Sequence, residues 1–114
     1  MSEIITLCDA WAFRRAYRQG KSFVSPELVT YVIKNKQNNL RIGITTGKKI
    51  GKAHIRSRAR RVIRAAYREV FESCSINKTG LDIVFVARGK TPSVKSTELS
   101  KVLRKHLKDA EVII

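Results

Sequence analysis

The sequence predicts an α+β domain: a single sheet of four strands with three helices, in the order α-β-β-β-α-β-α. Three observations carry that expectation. Apolar residues recur at helical spacing over residues 10–19, 55–72 and 96–110. β-branched and aromatic types fill residues 28–34 and 40–46, as strands prefer. The run Leu81-Asp82-Ile83-Val84-Phe85-Val86-Ala87-Arg88 is almost continuously apolar, as a strand buried on both faces must be. No linker, repeat or low-complexity tract divides residues 1–114, so one domain is expected.

The first helix, residues 10–19, has Asp9 as its N-cap candidate and Gly20 as its stop. Phe13 and Tyr17 lie four apart and share a face, flanked by Arg14, Arg15 and Arg18. On the residues alone, the two aromatics read as core. Residues 21–25 suit a short edge strand ending at Pro26. In the next strand, Leu28 to Lys34, Val29, Tyr31 and Ile33 point one way and Thr30, Val32 and Lys34 the other. Both faces are partly apolar, so helices should cover one fully and the other in part. The polar run Asn35 to Asn39 turns the chain into residues 40–46, expected antiparallel to the strand before. Gly43 within that strand signals a bulge or a close approach.

Gly47 and Gly51 bracket Lys48-Lys49 in a turn that leads to the main helix, residues 55–72. At ~100° per residue, Ile55, Ala59, Val62, Ile63, Ala66 and Val70 fall in one arc. Arg58, Arg60, Arg61, Arg64 and Arg68 spread over the opposite side, with Arg56, Tyr67 and Phe71 at one boundary. A solvated helix face ordinarily mixes charge signs. Here Glu69 and Glu72 come only at the end. A loop over 73–80 precedes the buried strand, and Gly89 to Pro92 turn the chain into the last helix, whose stripe is Leu99, Val102, Leu103, Leu107 and Ala110. The tail Val112-Ile113-Ile114 is left either packed or loose.

Charge dominates the composition. Lys and Arg total 24 against 9 Asp and Glu, a net charge of +15. A compact domain so charged repels itself unless a polyanion neutralises it. Nucleic acid is the first candidate and an anionic membrane surface the second. Nothing is apolar over enough residues to span a bilayer. The first 12 residues lack the basic start and apolar run of a signal peptide. Cys8 and Cys74 have no metal spacing and read as free thiols in a reducing cytoplasm.

Catalytic constellations are not evident. His54 and His106 stand alone, zinc spacing is missing, and the carboxylates are few and scattered. Gly43, Gly47 and Gly51 lack the Lys-Ser/Thr ending of a phosphate-binding loop. What is present suits phosphate: arginine forks, a turn, and a helix N-terminus. Arg56 and Arg58 at the expected helix start oppose the dipole, a cost that a bound phosphate relieves. Three further readings stay open on the residues: a ribosomal or general RNA-binding protein, an unaided protein nuclease, and a helix-turn-helix DNA binder. The third needs two adjacent helices, whereas strands precede the main helix.

Lys48-Lys49-Ile50-Gly51-Lys52-Ala53, followed by Arg56-Ser57-Arg58 and Arg60-Arg61-x-x-Arg64, resembles the signature of the bacterial ribonuclease P protein subunit. Phe13-x-x-x-Tyr17-x-x-Gly20, Arg41-Ile42-Gly43-Ile44 and Asp82 to Arg88 resemble that family's first helix, a strand and the buried strand, in order. The resemblance implies a protein that binds a catalytic RNA, which removes the 5′ leader of precursor tRNA using Mg²⁺ bound through the RNA. The protein supplies no catalytic group and no metal ligand, and joins one RNA as a monomer in the cytoplasm, away from membranes.

By the same resemblance, Lys48, Lys49, Lys52, Arg56, Ser57, Arg58, Arg60, Arg61 and Arg64 contact the RNA subunit. Phe13, Tyr17 and Tyr31 line a cleft for the single-stranded leader, away from the core role read above. The family fold, shared with the second domain of a small-subunit ribosomal protein, implies an unusual left-handed β-α-β crossover through the main helix. Two departures stand out. Ser57 occupies the place of the usual Asn, and Met1-Ser2-Glu3-Ile4-Ile5 is less basic than the family's N-terminus.

Overall fold

The computed structural model describes residues 4–77 and 80–114. Met1, Ser2 and Glu3 of the N-terminal stretch, and Lys78 and Thr79 of the expected 73–80 loop, lie outside the described residues. The elements are β1 (Ile4–Thr6), α1 (Ala10–Gln19), β2 (Lys21–Ser25), β3 (Leu28–Lys34), β4 (Leu40–Thr45), α2 (Ala53–Ser73), β5 (Leu81–Ala87) and α3 (Ser96–Asp109). Short 3₁₀ turns cover Lys48–Ile50 and Thr91–Ser93.

The sheet has five strands in the order β1-β4-β5-β3-β2, one more than the sequence predicts. The extra strand is β1, whose three residues pair in parallel with β4 in the register Ile4↔Leu40 to Thr6↔Ile42. Three residues are too few for a period to show, and their partner lies far along the chain. β4 runs opposite to β3, as expected, but the two are not neighbours. β5 inserts between them, antiparallel to β3 and parallel to β4. β4, α2 and β5 therefore form a β-α-β crossover between adjacent parallel strands.

Insertion explains why β5 is so apolar: of its residues only Val86 is less than buried. On one face, Leu28, Leu40, Ile42, Ile83 and Phe85 pack against Ala59, Ile63, Ala66 and Val70 of α2 and Leu99, Leu103 and Leu107 of α3. Those four α2 residues all belong to the arc read from periodicity, while Ile55 and Val62, together at one end of it, are half-buried. Tyr67 stacks on Phe85 with centroids 6.0 Å apart, so the boundary aromatics of α2 belong to the core side. On the other face, α1 lays Ala12 and Ala16 on Val84 together with Leu7. This second layer is small because α1 is short, and it leaves part of the sheet uncovered.

Asp82 lies within the apolar strand with its side chain fully buried. It is cross-strand partner to Arg41 on β4 and Ile33 on β3. Arg41 donates from Nε to Oδ1 and from Nη2 to Oδ2, each at 2.7 Å, and Asn35 Nδ2 donates to Oδ1 at 2.8 Å. A bidentate fork plus an amide is what a buried carboxylate requires. The hydrogen bond to Asp82 also raises the pKa of Arg41 above its ordinary value.

The ends of the chain close by specific bonds. Ala110 caps α3, and Glu111 adopts φ 62°. Val112 N–H donates to Leu107 O at 2.8 Å and Glu111 N–H to Lys108 O at 3.0 Å, a Schellman motif with Glu in the position glycine usually takes. The tail packs as far as Ile113: Val112 and Ile113 are buried and Ile113 bridges Ile76, while Ile114 is exposed.

His106, also buried, has Ser25 Oγ at 2.8 Å from Nε2 and Thr30 Oγ1 at 2.8 Å from Nδ1. One ring nitrogen donates and the other accepts, so the pair of hydroxyls suits neutral imidazole. Burial lowers the His106 pKa below its ordinary value.

Two predictions follow from these buried groups. Arg41→Met leaves Asp82 without its counter-charge and lowers unfolding free energy by about 3 kcal/mol in a denaturant titration. His106 accepts a proton in the unfolded chain near pH 6.5 but resists it when folded. Its stabilisation is therefore complete above about pH 6.5 and falls as pH drops below that value. Thermal melts across this window show the decline, and His106→Gln flattens it.

Candidate nucleic-acid interface

Helix α2 starts at Ala53, two residues earlier than its periodicity suggests, because Lys52 serves as N-cap. Its side chain makes no capping bond, and the first turn contains no acidic residue. Ile55 and Arg56 N–H groups both reach Lys52 O at 3.0 Å. The cationic side chains nearest the positive end of the dipole are therefore Lys52 and Arg56, rather than Arg56 and Arg58.

The approach to α2 requires a glycine. The 3₁₀ turn Lys48–Ile50 ends at Gly51, whose φ of 143° excludes ordinary side chains. A Cβ there would also stand 3.2 Å from Ile55 Cγ2 and Cδ1. Lys48, Lys49 and Lys52 are exposed around this turn.

The arginines of α2 fall into two sets. Arg58, Arg61, Arg64 and Arg68 are exposed, and Arg56 and Arg60 are half-buried. Ser57 is half-buried between them. Arg60 Nη1 donates to Thr46 Oγ1 at the end of β4. The Nε of Arg56 is buried without a hydrogen-bond partner. Among the described residues no α2 arginine is paired with a carboxylate; the ion pair there is Arg41–Asp82.

The aromatic cleft lies on the α1 face of the sheet. Tyr31, Val84 and Gly43 form one cross-strand row over β3, β5 and β4. Gly43 is the close approach signalled by the sequence: a Cβ there would lie 2.5 Å from Phe13 Cζ. Phe13 thus rests on bare backbone. Its ring centroid is 6.5 Å from that of Tyr17, which meets Tyr31 edge-on at 5.2 Å. Tyr17 is bonded through its hydroxyl to Thr45 Oγ1 and remains 38% exposed. Phe13 and Tyr31 are half-buried. The three aromatics are neither core nor free: Phe13 and Tyr31 pack in part against the α1 layer, and Tyr17 joins them ring to ring while staying exposed.

Cleft and helix meet. An open cavity of about 410 Å³ is lined by Ala10, Phe13, Arg14, Ile44, Thr45, Thr46 and Arg60. Arg60 thus borders the Phe13 end of the aromatic group as well as belonging to the cationic helix. Sequence reasoning placed it on the helix face only, because its partner Thr46 lies on another element. Trp11 was also missed. It is 61% exposed on α1, with Arg15 Cζ 5.8 Å from its ring centroid. Its spacing to Arg14, Arg15 and Arg18 was the available signal.

An unpaired cationic helix beside a partly exposed aromatic cleft defines an RNA-binding protein of α+β architecture. The family model for Ribonuclease P matches residues 1–111. The ribonuclease P protein component of Clostridioides difficile (strain 630) is 39% identical over 102 residues, covering 90% of this chain and 88% of that protein. That of Lachnoclostridium phytofermentans is 40% identical over 114 residues, covering all of this chain and 93% of the relative. The solved structure of the Staphylococcus aureus RNase P protein superposes with a TM-score of 0.79 at 27% identity, covering 98% of this chain and all of that one. The chain belongs to the ribonuclease P protein family.

The Gly43–Phe13 contact makes a direct prediction. Gly43→Ala destabilises the protein by about 1–3 kcal/mol through overpacking. Phe13→Ala removes the obstacle, so Gly43→Ala costs far less in that background. Denaturant melts of the four proteins in this cycle measure the coupling.

Proposed function

We propose that this chain is the protein subunit of ribonuclease P, holding the catalytic RNA on α2 and the 5′ leader of precursor tRNA in the aromatic cleft. The observation that carries the reading is the junction at Arg60, where a helix whose arginines lack carboxylate partners among the described residues meets Phe13, the outer member of the aromatic group, at the end of β4. Family membership supports the RNA partner and the tRNA-processing role.

Exposed Arg58, Arg61 and Arg64, with Lys48, Lys49 and Lys52, neutralise phosphates and release counterions. Arg56, half-buried near the helix start, offers the outer part of its guanidinium to a phosphate there. Ser57 lies beside it and supplies a hydroxyl in place of the usual amide. In the cleft, leader bases stack on Tyr17, Tyr31 and Phe13. Stacking tolerates any base, which suits an enzyme that meets many leaders.

The protein in this reading contributes no catalytic group. Mg²⁺ would be held through the RNA subunit and would supply the activated water there. Among the described residues, no three His, Cys, Asp or Glu come together to hold a metal. The buried carboxylate, Asp82, has both oxygens occupied by Arg41 and Asn35. The complex is one protein with one RNA, in the cytoplasm. Among the described residues no helix is long and apolar enough to cross a membrane.

Reconstitution tests the reading. Added to a cognate ribonuclease P RNA at low Mg²⁺, the chain stimulates leader cleavage and has no activity alone. Cleavage without the RNA, or no stimulation with it, refutes the proposal. Arg61→Ala with Arg64→Ala weakens RNA-subunit binding and lowers its salt slope by about 2. Tyr31→Ala weakens precursor binding by about 1–3 kcal/mol relative to mature tRNA; equal loss for both overturns the cleft assignment.

A further inference from the structure

Helix α1 carries a second exposed surface, aromatic and cationic, on the side away from the cleft. At ~100° per residue, Trp11 projects roughly opposite to Phe13 and Tyr17, and Arg14, Arg15 and Arg18 share its side. Trp11 takes no part in the apolar layer beneath α1, which consists of Leu7, Ala12, Ala16 and Val84 with neighbours from the sheet. An indole left 61% exposed gains little from folding.

Nevertheless its neighbour is held in place. Arg15 Nη2 donates to Lys34 O at 2.7 Å, which fixes the guanidinium over the Trp11 ring. One indole face is therefore occupied by a clamped cation. Trp11, Arg14, Arg15, Arg18 and Gln19 border a recess of about 310 Å³. Arg14 also lines the cavity beside Phe13 and Arg60. It is the common wall between the two sites, so a strand leaving the cleft meets Arg14 and then Trp11.

The geometry points to a single-stranded RNA subsite on α1, in which a base stacks on Trp11 and the phosphates on either side are held by Arg14 and Arg18. Its occupant is the continuation of the 5′ leader beyond the aromatic cleft. The chemistry fits that ligand: a π-face with three guanidinium groups serves a base and its phosphates together. An acidic peptide would use the arginines but leave the open face of the indole without a partner. Asp9, in the adjoining recess with Trp11, Arg15 and Arg41, bounds the subsite on its far side. The inference rests on the leader lying in the aromatic cleft, and it deepens that reading by extending the leader-binding track.

The chain contains one tryptophan, so its emission reports this site alone. In the holoenzyme reconstituted with a cognate ribonuclease P RNA, Trp11 emission is followed as precursor tRNAs are added. One precursor has a leader that ends within the cleft, and another has a leader that continues past it. Quenching by the long-leader precursor, but not by the short-leader precursor or mature tRNA, is the expected result. Trp11→Ala then reduces the affinity advantage of the long leader about tenfold, and Trp11→Phe restores most of it.

Quenching on addition of the RNA subunit alone assigns the surface to that RNA and overturns the inference. So does an unchanged long-leader advantage in Trp11→Ala holoenzyme that still responds to the protein. Failure of the broader reading looks different: the unmodified chain then gives no stimulation of leader cleavage with any leader length. Because Trp11 is exposed, loss of folding does not account for the effect of its substitution, and circular dichroism of both variants verifies this.

Discussion

The arrangement depends on keeping one carboxylate charged inside an apolar strand. Asp82 can sit at the centre of the sheet only while Arg41 forks onto it from β4 and Asn35 reaches it from the end of β3. These contacts tie together three strands that no hairpin joins to one another as neighbours: β4, β5 and β3. They also fix register. A one-residue slip of β5 would turn Asp82 toward Phe85's side of the sheet, where Leu, Ile and Ala offer no counter-charge. The same register sets Val84 between Gly43 and Tyr31, which is the row that Phe13 needs. A charge pair with no contact to RNA thereby determines where the aromatic cleft opens.

Charge is used unequally elsewhere. The pair at Asp82 consumes one arginine, while those of α2 have no acidic partner among the described residues. Mutual repulsion along α2 is tolerated because Ala59, Ile63, Ala66 and Val70 bury the opposite face completely. Apolar burial and cationic display are thus two sides of one helix, and neither works without the other. Small alanines in that stripe bring the helix close to the sheet, so Arg60 can reach Thr46.

Much of this was legible along the chain. The α2 stripe and its cationic face follow from a 3.6-residue period, and the double-sided burial of β5 follows from an unbroken apolar run. Gly43 could be marked as a close approach, though not what approaches it. What escaped depends on pairing between distant residues. β1 is three residues whose strand character comes from Leu40, Arg41 and Ile42. Asp82 reads locally as a blemish in an apolar run, since its partner Arg41 lies 41 positions away. The insertion of β5 between β3 and β4 has no local sign, because a polar five-residue turn between two strands ordinarily makes a hairpin. His106 looked isolated for the same reason: Ser25 and Thr30 are 81 and 76 positions away.

Gly51 has a consequence for the entropy of recognition. Its backbone, at φ 143°, closes a turn in which Ile50 N–H donates to Gly47 O and Gly51 N–H to Lys48 O. Lys48, Lys49 and Lys52 are therefore carried on backbone that is already ordered before any polyanion arrives. A flexible basic tail of equal charge loses chain freedom at the moment of association. Here that loss occurs during folding and is offset by the core, so more of the counterion-release free energy remains to hold RNA.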